Sequence, residues 1–294
     1  MAEEMLVSVV IASYNSGKTI KKTLQSLEKQ TMQEHFEVIV VDSSANDTAE
    51  GIEKHFPNVR VFHFSERKLP GDARNFGISK AKGNIIATLD ADCEAASDWV
   101  EKIIAAHKSP WPAIGGAIAN GTRGGCVTWA AYFCEFSQWM PGTTKQRMKD
   151  VAGANMSYKR FLFDEYGTFI EGTYCSDTEF HWRMAKDDIR ILFDPSLLVT
   201  HHSIDTLSRF LRHENFHGKS FARVRSKALK FSLLKRFIYI ILSPFLPVRL
   251  FWKIFFINGK NRIYWRCFLK SIPLLILGIV SWSLGEAAGY LRSE

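Results

Sequence analysis

The chain is poor in the markers that define several function classes. Its five cysteines (Cys93, Cys126, Cys134, Cys175, Cys267) are an odd set with no C-x-x-C pair. They supply neither a disulfide framework nor a structural zinc site, and they suit a reducing compartment. No G-x-G-x-x-G follows an apolar run, which argues against a dinucleotide-binding dehydrogenase. The N-terminus, MAEEMLVSVV, is acidic where an export signal is basic, and its apolar stretch is short, so no such signal is expected there. There is no internal repeat and no low-complexity segment. With 13% aromatic and only 23% charged residues over 294 positions, the chain is not intrinsically disordered and is long enough for a sizeable core.

Acidic residues are scarce in one region above all. From Thr206 to Glu294 there are 16 Lys+Arg and 3 acids, a net of +13, whereas the first 205 residues carry 22 bases and 27 acids, a net of −5. A basic tail seeks phosphate. This one is also dense in Phe, Trp, Ile and Leu, which favours an anionic membrane surface over nucleic acid. A domain boundary is expected at Asp205, where the acids run out.

The first 120 residues alternate short apolar runs with helical patterns. The runs are Val7–Ala12, Glu37–Asp42, Val59–Phe64, Asn84–Asp90 and Pro112–Ala119. Between them Ile20, Leu24 and Leu27, then Ile52 and Phe56, then Val100, Ile103 and Ile104 recur at helical spacing. This pattern predicts βαβ units and a mostly parallel sheet. Gly121 to Val151, with Gly-Gly and Pro-Gly pairs among aromatics, reads as a loop-rich excursion. Its aromatics from Val127 to Trp139 suit core at least as well as an acceptor wall. Ser176-Asp177-Thr178-Glu179 has the S-x-x-E pattern of a capping box at a helix start.

Ligands of open parallel sheets bind at the carboxyl ends of the strands. Ser13, Tyr14 and Asn15 close the first run, Asp42 the second, and Asp90-Ala91-Asp92 the fourth. Two carboxylates one residue apart are hard oxygen donors suited to Mg²⁺ or Mn²⁺, which would neutralise a diphosphate leaving group. Alone, a D-x-D is a weak signal; its place directly after IIATL strengthens it. A rival lies in Ala12–Thr19, which reads A-x-x-x-x-G-K-T between strand and helix, with Asp42 as a Walker B acid. That would make the protein a P-loop NTPase or kinase. Ala at the first position and the bulky Tyr14-Asn15 count against it. His213 and His217 lie four apart on a helical pattern, but nothing else completes a zinc site.

VSVVIASYN, VIVVDSSANDT, GDARNFGISKAKGNIIATLDADC, GANMSYKR and SDTEFHWRM, in that order, resemble the family 2 inverting glycosyltransferases of the GT-A fold. The resemblance runs from about Val7 to His202. It implies an α/β GT-A fold, Rossmann-like with flanking helices, followed by a C-terminal α-helical membrane-associated region. It also implies a UDP- or GDP-linked sugar donor, a divalent metal, and inversion by in-line attack. Ser13 and Asn15 would line the nucleotide pocket, Asp42 would hold the base, and Arg74 and Asn75 would lie near base, ribose or diphosphate. Asp90 would reach the ribose side and the metal, Asp92 the metal, and Gly153 and Asn155 the donor sugar. His201, after the run ILFDPSLLV, would be a further metal ligand. Asp177 matches the family's general base; the usual Glu-Asp is Ser176-Asp177 here, which removes a neighbouring carboxylate.

In the tail, 237–257 is apolar but carries Pro244, Pro247, Arg249 and Lys253, and bases flank it on both sides. It reads as re-entrant or interfacial, with both flanks in the cytoplasm. Segment 271–291 is apolar except for Glu286 and long enough to span a bilayer. The expected protein is a metal-dependent glycosyltransferase with a catalytic domain over 1–205 facing the cytoplasm and an attachment region over 206–294. Its acceptor would be a lipid phosphate, a glycolipid or a lipid-linked glycan. A non-catalytic, membrane-anchored nucleotide-sugar-binding protein is the non-enzymatic alternative.

Overall fold

A computed structural model describes residues 6–122 and 125–291. The chain divides into two compact units. The first comprises Met1–Ala119, Thr144–Gly172 and Ser176–His202; the second comprises Asn120–Thr143, Thr173–Cys175 and Ser203–Glu294. The expected cut at Asp205 thus falls at Ser203, and two earlier segments join the tail.

The first unit begins as alternating strand and helix: β1 (Val7–Ser13), α1 (Ile20–Glu28), β2 (Phe36–Asp42), α2 (Thr48–His55), β3 (Val59–His63), α3 (Pro70–Lys80) and β4 (Ile85–Leu89). β5 (Cys93–Ala95), α4 (Trp99–His107) and β6 (Ala113–Asn120) follow. β1, β2 and β4 are nearly continuous apolar runs, as strands covered on both faces must be. Ile20, Leu24 and Leu27 of α1 are buried, as are Val100, Ile103 and Ile104 of α4. Each helix buries the face its spacing predicts.

The expectation of a parallel sheet holds for β3-β2-β1-β4, whose pairs are all parallel. The sheet then continues as β8-β6-β9-β5 and becomes mixed, through β8 (Asn155–Lys159) and β9 (Ile191–His201). β8 runs antiparallel to both β4 and β6, and β5 runs antiparallel to β9. The 121–151 excursion is more ordered than its glycines and prolines predict. It contains α5 (Cys126–Phe136) and β7 (Gln146–Met148), the latter paired with β9. In α5 the aromatics that obscured the reading are core: Tyr132, Phe133 and Phe136 are buried. Two helices, α6 (Phe161–Tyr166) and α7 (Ser176–Ala185), complete the unit.

In the second unit, α8 (Leu207–Ala228), α9 (Leu233–Leu242), α10 (Leu246–Lys260) and α11 (Trp265–Leu291) follow one another. α8 and α11 approach backbone to backbone. A Cβ on Gly285 would stand 2.0 Å from the Asn215 carbonyl oxygen, and one on Gly218 would stand 2.3 Å from that of Trp282. Glu286, the lone acid of the last apolar segment, is satisfied inside this pair. It accepts from Trp282 Nε1 (3.1 Å) and Tyr290 Oη (2.9 Å), with Arg225 Nη1 3.7 Å away. Arg225, 24% exposed, is engaged by this cluster and by Tyr290 Oη (3.2 Å) and Tyr239 Oη (3.1 Å). By contrast α9 and α10 leave large apolar side chains open, Leu233 at 81% and Phe256 at 60% exposure among them. Leu233–Lys260 and Arg262–Leu291 are each long and apolar enough to associate with a membrane.

A titration follows from the first unit. Burial, with help from the nearby Lys159 charge, pushes the His107 imidazole down to about 3. An unfolded chain gains that proton near pH 6.5, the folded one only near 3, so stability falls as pH drops through this window. The variant His107→Gln is expected to melt below wild type at pH 7.5 yet to lose less of its Tm between pH 7.5 and 5. Parallel Tm curves for the two proteins would contradict this.

Candidate functional site

The register of β1 on β2 sets Ser13 directly beside Asp42, at the carboxyl ends of both strands. Asp42 is fully buried (0% exposed) and acts as an acceptor hub. Ser13 Oγ (2.6 Å) and Ser44 Oγ (2.7 Å) donate to its Oδ1, Ser44 N donates to its Oδ2 (3.0 Å), and His63 Nδ1 lies 3.1 Å from that oxygen. A buried carboxylate needs such partners. Asp42 thereby fixes the rim of the edge. Asn15 sits on that rim at φ +53°, a left-handed conformation that asparagine tolerates, and its N–H donates to Ser44 Oγ (2.7 Å). Its side chain is exposed.

The same loop does not form a phosphate cradle. The Thr19 and Ile20 N–H groups, which a P-loop would turn toward a ligand, donate to the Ser16 carbonyl at 2.8 and 2.9 Å. With Asp42 also enclosed, the nucleoside-triphosphatase alternative is set aside.

Asp90-Ala91-Asp92 joins the end of β4 to the start of β5. The two carboxylates part company there. Asp90 Oδ1 accepts from Arg74 Nη2 on α3 at 2.5 Å. Asp92 Oδ1 instead stands 3.3 Å from His201 Nε2, because β5 pairs with β9 in a register that puts Cys93 opposite His201. Donor atoms of Asp92, Cys93 and His201 all lie within 4.8 Å of one another. Burial, reinforced by the Asp92 and Asp90 carboxylates, pushes the Cys93 thiol well up, so it stays protonated and is a poor ligand. The carboxylate and the imidazole are the donors fit for a divalent cation. His202, next in line, lies 2.5 Å from Glu94 Oε1 through its Nε2 and is a separate pair.

Arg74 is 4% exposed and carries more than one contact. Its Nη2 also donates to the Gly153 carbonyl at 3.3 Å, and its Nε is buried without a hydrogen-bond partner. The Gly153 carbonyl further accepts from Thr88 Oγ1 (2.6 Å), and the Gly153 N–H donates to Asp177 Oδ2 (2.8 Å). No larger residue fits at 153: a Cβ would stand 2.6 Å from Arg74 Nη1 and 2.8 Å from Asp177 Oδ2. Desolvation by itself would raise the Asp177 carboxyl. The Arg74 and His181 charges and the N–H groups of Gly153 and Thr178 overcome it and hold the group below its usual value.

At the start of α7, the reciprocal cap expected between Ser176 and Glu179 gives way to two other contacts. Asp177 Oδ1 takes the Thr178 N–H (2.9 Å), and Glu179 Oε2 accepts from Arg183 Nε (2.9 Å). Under Asp177 lies a chain absent from the sequence reading. His181 Nδ1 is 2.5 Å from Asp150 Oδ1, and His181 Nε2 is 2.7 Å from Tyr158 Oη. Burial and the Asp177 charge push the Tyr158 phenol well up, so it keeps its proton. No spacing links Asp150, Tyr158 and His181; only the fold brings them together. Thr88 had a faint signal, a hydroxyl inside the buried run IIATL.

Like Asp42, which is enclosed and not open to a base, two further expected site residues turn inward. Asn75 Nδ2 donates to the Phe169 carbonyl (2.8 Å) while its Oδ1 accepts the Phe169 N–H (2.9 Å). Asn155 Oδ1 accepts from Trp99 Nε1 (2.9 Å), and its Nδ2 donates to the carbonyls of Ala117 and Leu197, both at 2.9 Å. Each amide is buried and satisfied by the protein itself, so Asn75 and Asn155 hold the frame and are not free to meet a ligand.

Comparison with known proteins places this geometry. The chain is similar to glycosyltransferase AglE of Haloferax volcanii, 25% identical over 187 residues, covering 62% of this chain and 61% of that protein. It is also similar to validoxylamine A glucosyltransferase of Streptomyces hygroscopicus subsp. jinggangensis, 34% identical over 113 residues, covering 37% and 27%. The chain thus spans less than two thirds of the length of these relatives. In fold it resembles the mannosyltransferase PcManGT from Pyrobaculum calidifontis, solved with GDP-Man and Mn²⁺, at TM-score 0.64 and 15% identity over 97% of this chain and 88% of that one. It likewise resembles residues 1–349 of S. aureus TarS, solved with UDP-GlcNAc, at TM-score 0.57 and 16% identity over 96% and 90%. Both solved structures share the GT-A fold, and their identities are low enough that the likeness speaks for the fold alone. Residues 8–167, more than half of the chain, match the model of glycosyl transferase family 2, and the protein belongs to that family.

Proposed function

We propose that the protein transfers a sugar, with inversion, from a UDP- or GDP-linked donor to a membrane-associated acceptor. The observation that carries the reading is one constellation at the strand ends: the Asp92–His201 pair beside the Arg74–Asp90–Gly153–Asp177 knot. Ser13, Asn15 and the loop that Asp42 fixes form the rim on which base and ribose would lie. Gly153, which has no side chain to obstruct a sugar ring, and Arg74 supply the floor. Asp92 and His201 fit Mg²⁺ or Mn²⁺, and an imidazole ligand favours Mn²⁺. Asp90, closed on Arg74, would act on the ribose side or hold the arginine. A cation at Asp92 and His201 would stabilise the diphosphate as it leaves.

In the transfer, the acceptor hydroxyl oxygen forms a bond to the anomeric carbon while the bond from that carbon to the diphosphate oxygen breaks. The hydroxyl proton passes to Asp177, each of whose oxygens holds one backbone N–H and keeps a second lone pair. Because Asp177 is held below the usual carboxylate range, it is ionised and ready at neutral pH. An ionised lipid phosphate would need no such base.

Membrane attachment rests on the open apolar faces of α9 and α10 and on the basic residues around them, including Lys230, Lys235, Lys260 and Arg262. Bases on both flanks favour a cytoplasmic placement of the catalytic unit.

Two tests follow. A panel of labelled nucleotide sugars, incubated with protein and membrane extract, should yield a lipid-soluble labelled product. Chelator should abolish the transfer, and Asp92→Ala should lower it by at least about 100-fold without changing Tm. Full turnover in excess chelator would contradict the metal assignment, and donor binding without any product would favour a non-catalytic binding protein. The second test uses Phe237→Asp with Phe256→Asp, since removing 206–294 would strip α5 of its partners in the second unit. The paired variant should lose most of its salt-resistant binding to vesicles of anionic lipid, and undiminished binding would remove α9 and α10 from the attachment.

A further inference from the structure

The second unit holds a polar cluster that the reaction above does not use. His213 and His217 stand one turn apart on α8, and with the residues between them they read H-E-x-x-H. On a helix this spacing sets two imidazoles on one face. The ligand that sequence did not offer comes from α5: Glu135 Oε1 lies 3.2 Å from His213 Nε2. One carboxylate oxygen each from Glu135 and Glu214, and a ring nitrogen of His213, all lie within 4.8 Å of one another.

Glu214 is the telling member. It is only 2% exposed, and its Oε1 is buried without a hydrogen-bond partner. A second carboxylate beside it makes the position worse, since two like charges in a dry site repel. A cation would satisfy both at once. We propose that Glu135, His213 and Glu214 bind a zinc-class divalent metal that staples α5 to α8.

The chemistry is suited to that ion. Two carboxylates and one neutral imidazole give a donor set of net charge −2, which cancels the dication in a largely enclosed place. Zinc accepts such mixed oxygen and nitrogen donors at about 2.0–2.2 Å, so small side-chain rotations would draw the three atoms together. His217 packs its ring 5.4 Å from that of His213 and 5.2 Å from that of Trp282, which confines the ligand ring. In zinc hydrolases that carry this spacing the glutamate is a base acting on water. Here Glu214 is enclosed and sits among the donors, so the role is structural. The site belongs to the second unit, whereas Asp92 and His201 belong to the first. It therefore stands or falls independently of the reaction proposed above.

The experiment is a metal analysis of the full-length protein, purified in detergent and dialysed against a weak chelator. Wild type and Asp92→Ala should each retain about one zinc per chain, and Glu214→Gln and Glu135→Gln should retain less by about tenfold or more. Zn²⁺ alone, added back to stripped protein, should raise the Tm of wild type and leave that of Glu214→Gln unchanged. Glu214→Gln keeps the size of the side chain and removes only the carboxyl group, so it should fold, and its melting curve checks that it has. Zinc retained by Glu214→Gln would overturn the proposal. So would a wild type that holds no zinc and shows no Tm response, an outcome that would leave the two carboxyls sharing a proton.

Discussion

The buried guanidinium of Arg74 is the constraint on which the rest of the site depends. It stands between two carboxylates, bonded to Asp90 at 2.5 Å and reaching Asp177 through its charge. It also grips the Gly153 carbonyl, whose own N–H binds Asp177. Sheet end, glycine turn and helix start are thus tied by one side chain. Burying an arginine is unfavourable unless its charge is met, and truncating any partner would leave the others exposed to that cost. The knot is therefore cooperative. Arg74 is the largest of the influences that hold Asp177 below its usual value, and Asp90 and Asp177 meet the charge of the buried Arg74.

The sheet explains why these groups meet. Parallel pairing of β1 with β2 places Ser13 against Asp42, and the β5–β9 pairing places Cys93 against His201, next to Asp92. Strand ends are where side chains can escape a covered sheet, so polar residues at the ends of apolar runs collect there. The first four strands and α1, α2 and α4 were readable from periodicity for this reason, and so were Asp42, Asp90 and Asp92. In the antiparallel half β6 and β9 showed as the apolar runs Pro112–Ala119 and ILFDPSLLV, but β5, β7 and β8 did not, because their partners lie far along the chain and no local pattern marks them. The acids run out near Asp205, close to Ser203, where the last segment of the second compact unit begins. The transfer of Asn120–Thr143 to the second unit was not visible, because α5 is apolar on most sides and carries no clear face.

The site residues divide along the same line. Asp177 and Gly153 were named through an ordered set of motifs, and the fold shows their mutual contact. Asn75 and Asn155 were named by the same motifs, yet their amides answer the buried backbone of Phe169, Ala117 and Leu197. A polar residue in a motif can be there to hold the frame that displays its neighbours. Asp150, His181 and Tyr158 make the complementary case. Tyr158 and His181 lie within the quoted motifs and Asp150 outside them, yet nothing in the sequence assigned them a role, and together they form the hydrogen-bonded support next to Asp177.

The central claim is that Arg74 keeps Asp177 ionised for proton transfer, and the pH dependence of kcat/KM tests it most directly. The comparison is wild type against Arg74→Gln, each over the acid range in which the fold persists. Wild type should hold its rate until the pH falls below the ordinary carboxylate range, because Asp177 stays ionised until then. In Arg74→Gln the acid limb should move upward, since burial then acts on Asp177 with less opposing charge. The same acid limb in both proteins would show that Arg74 does not set the ionisation of Asp177, and would contradict the claim.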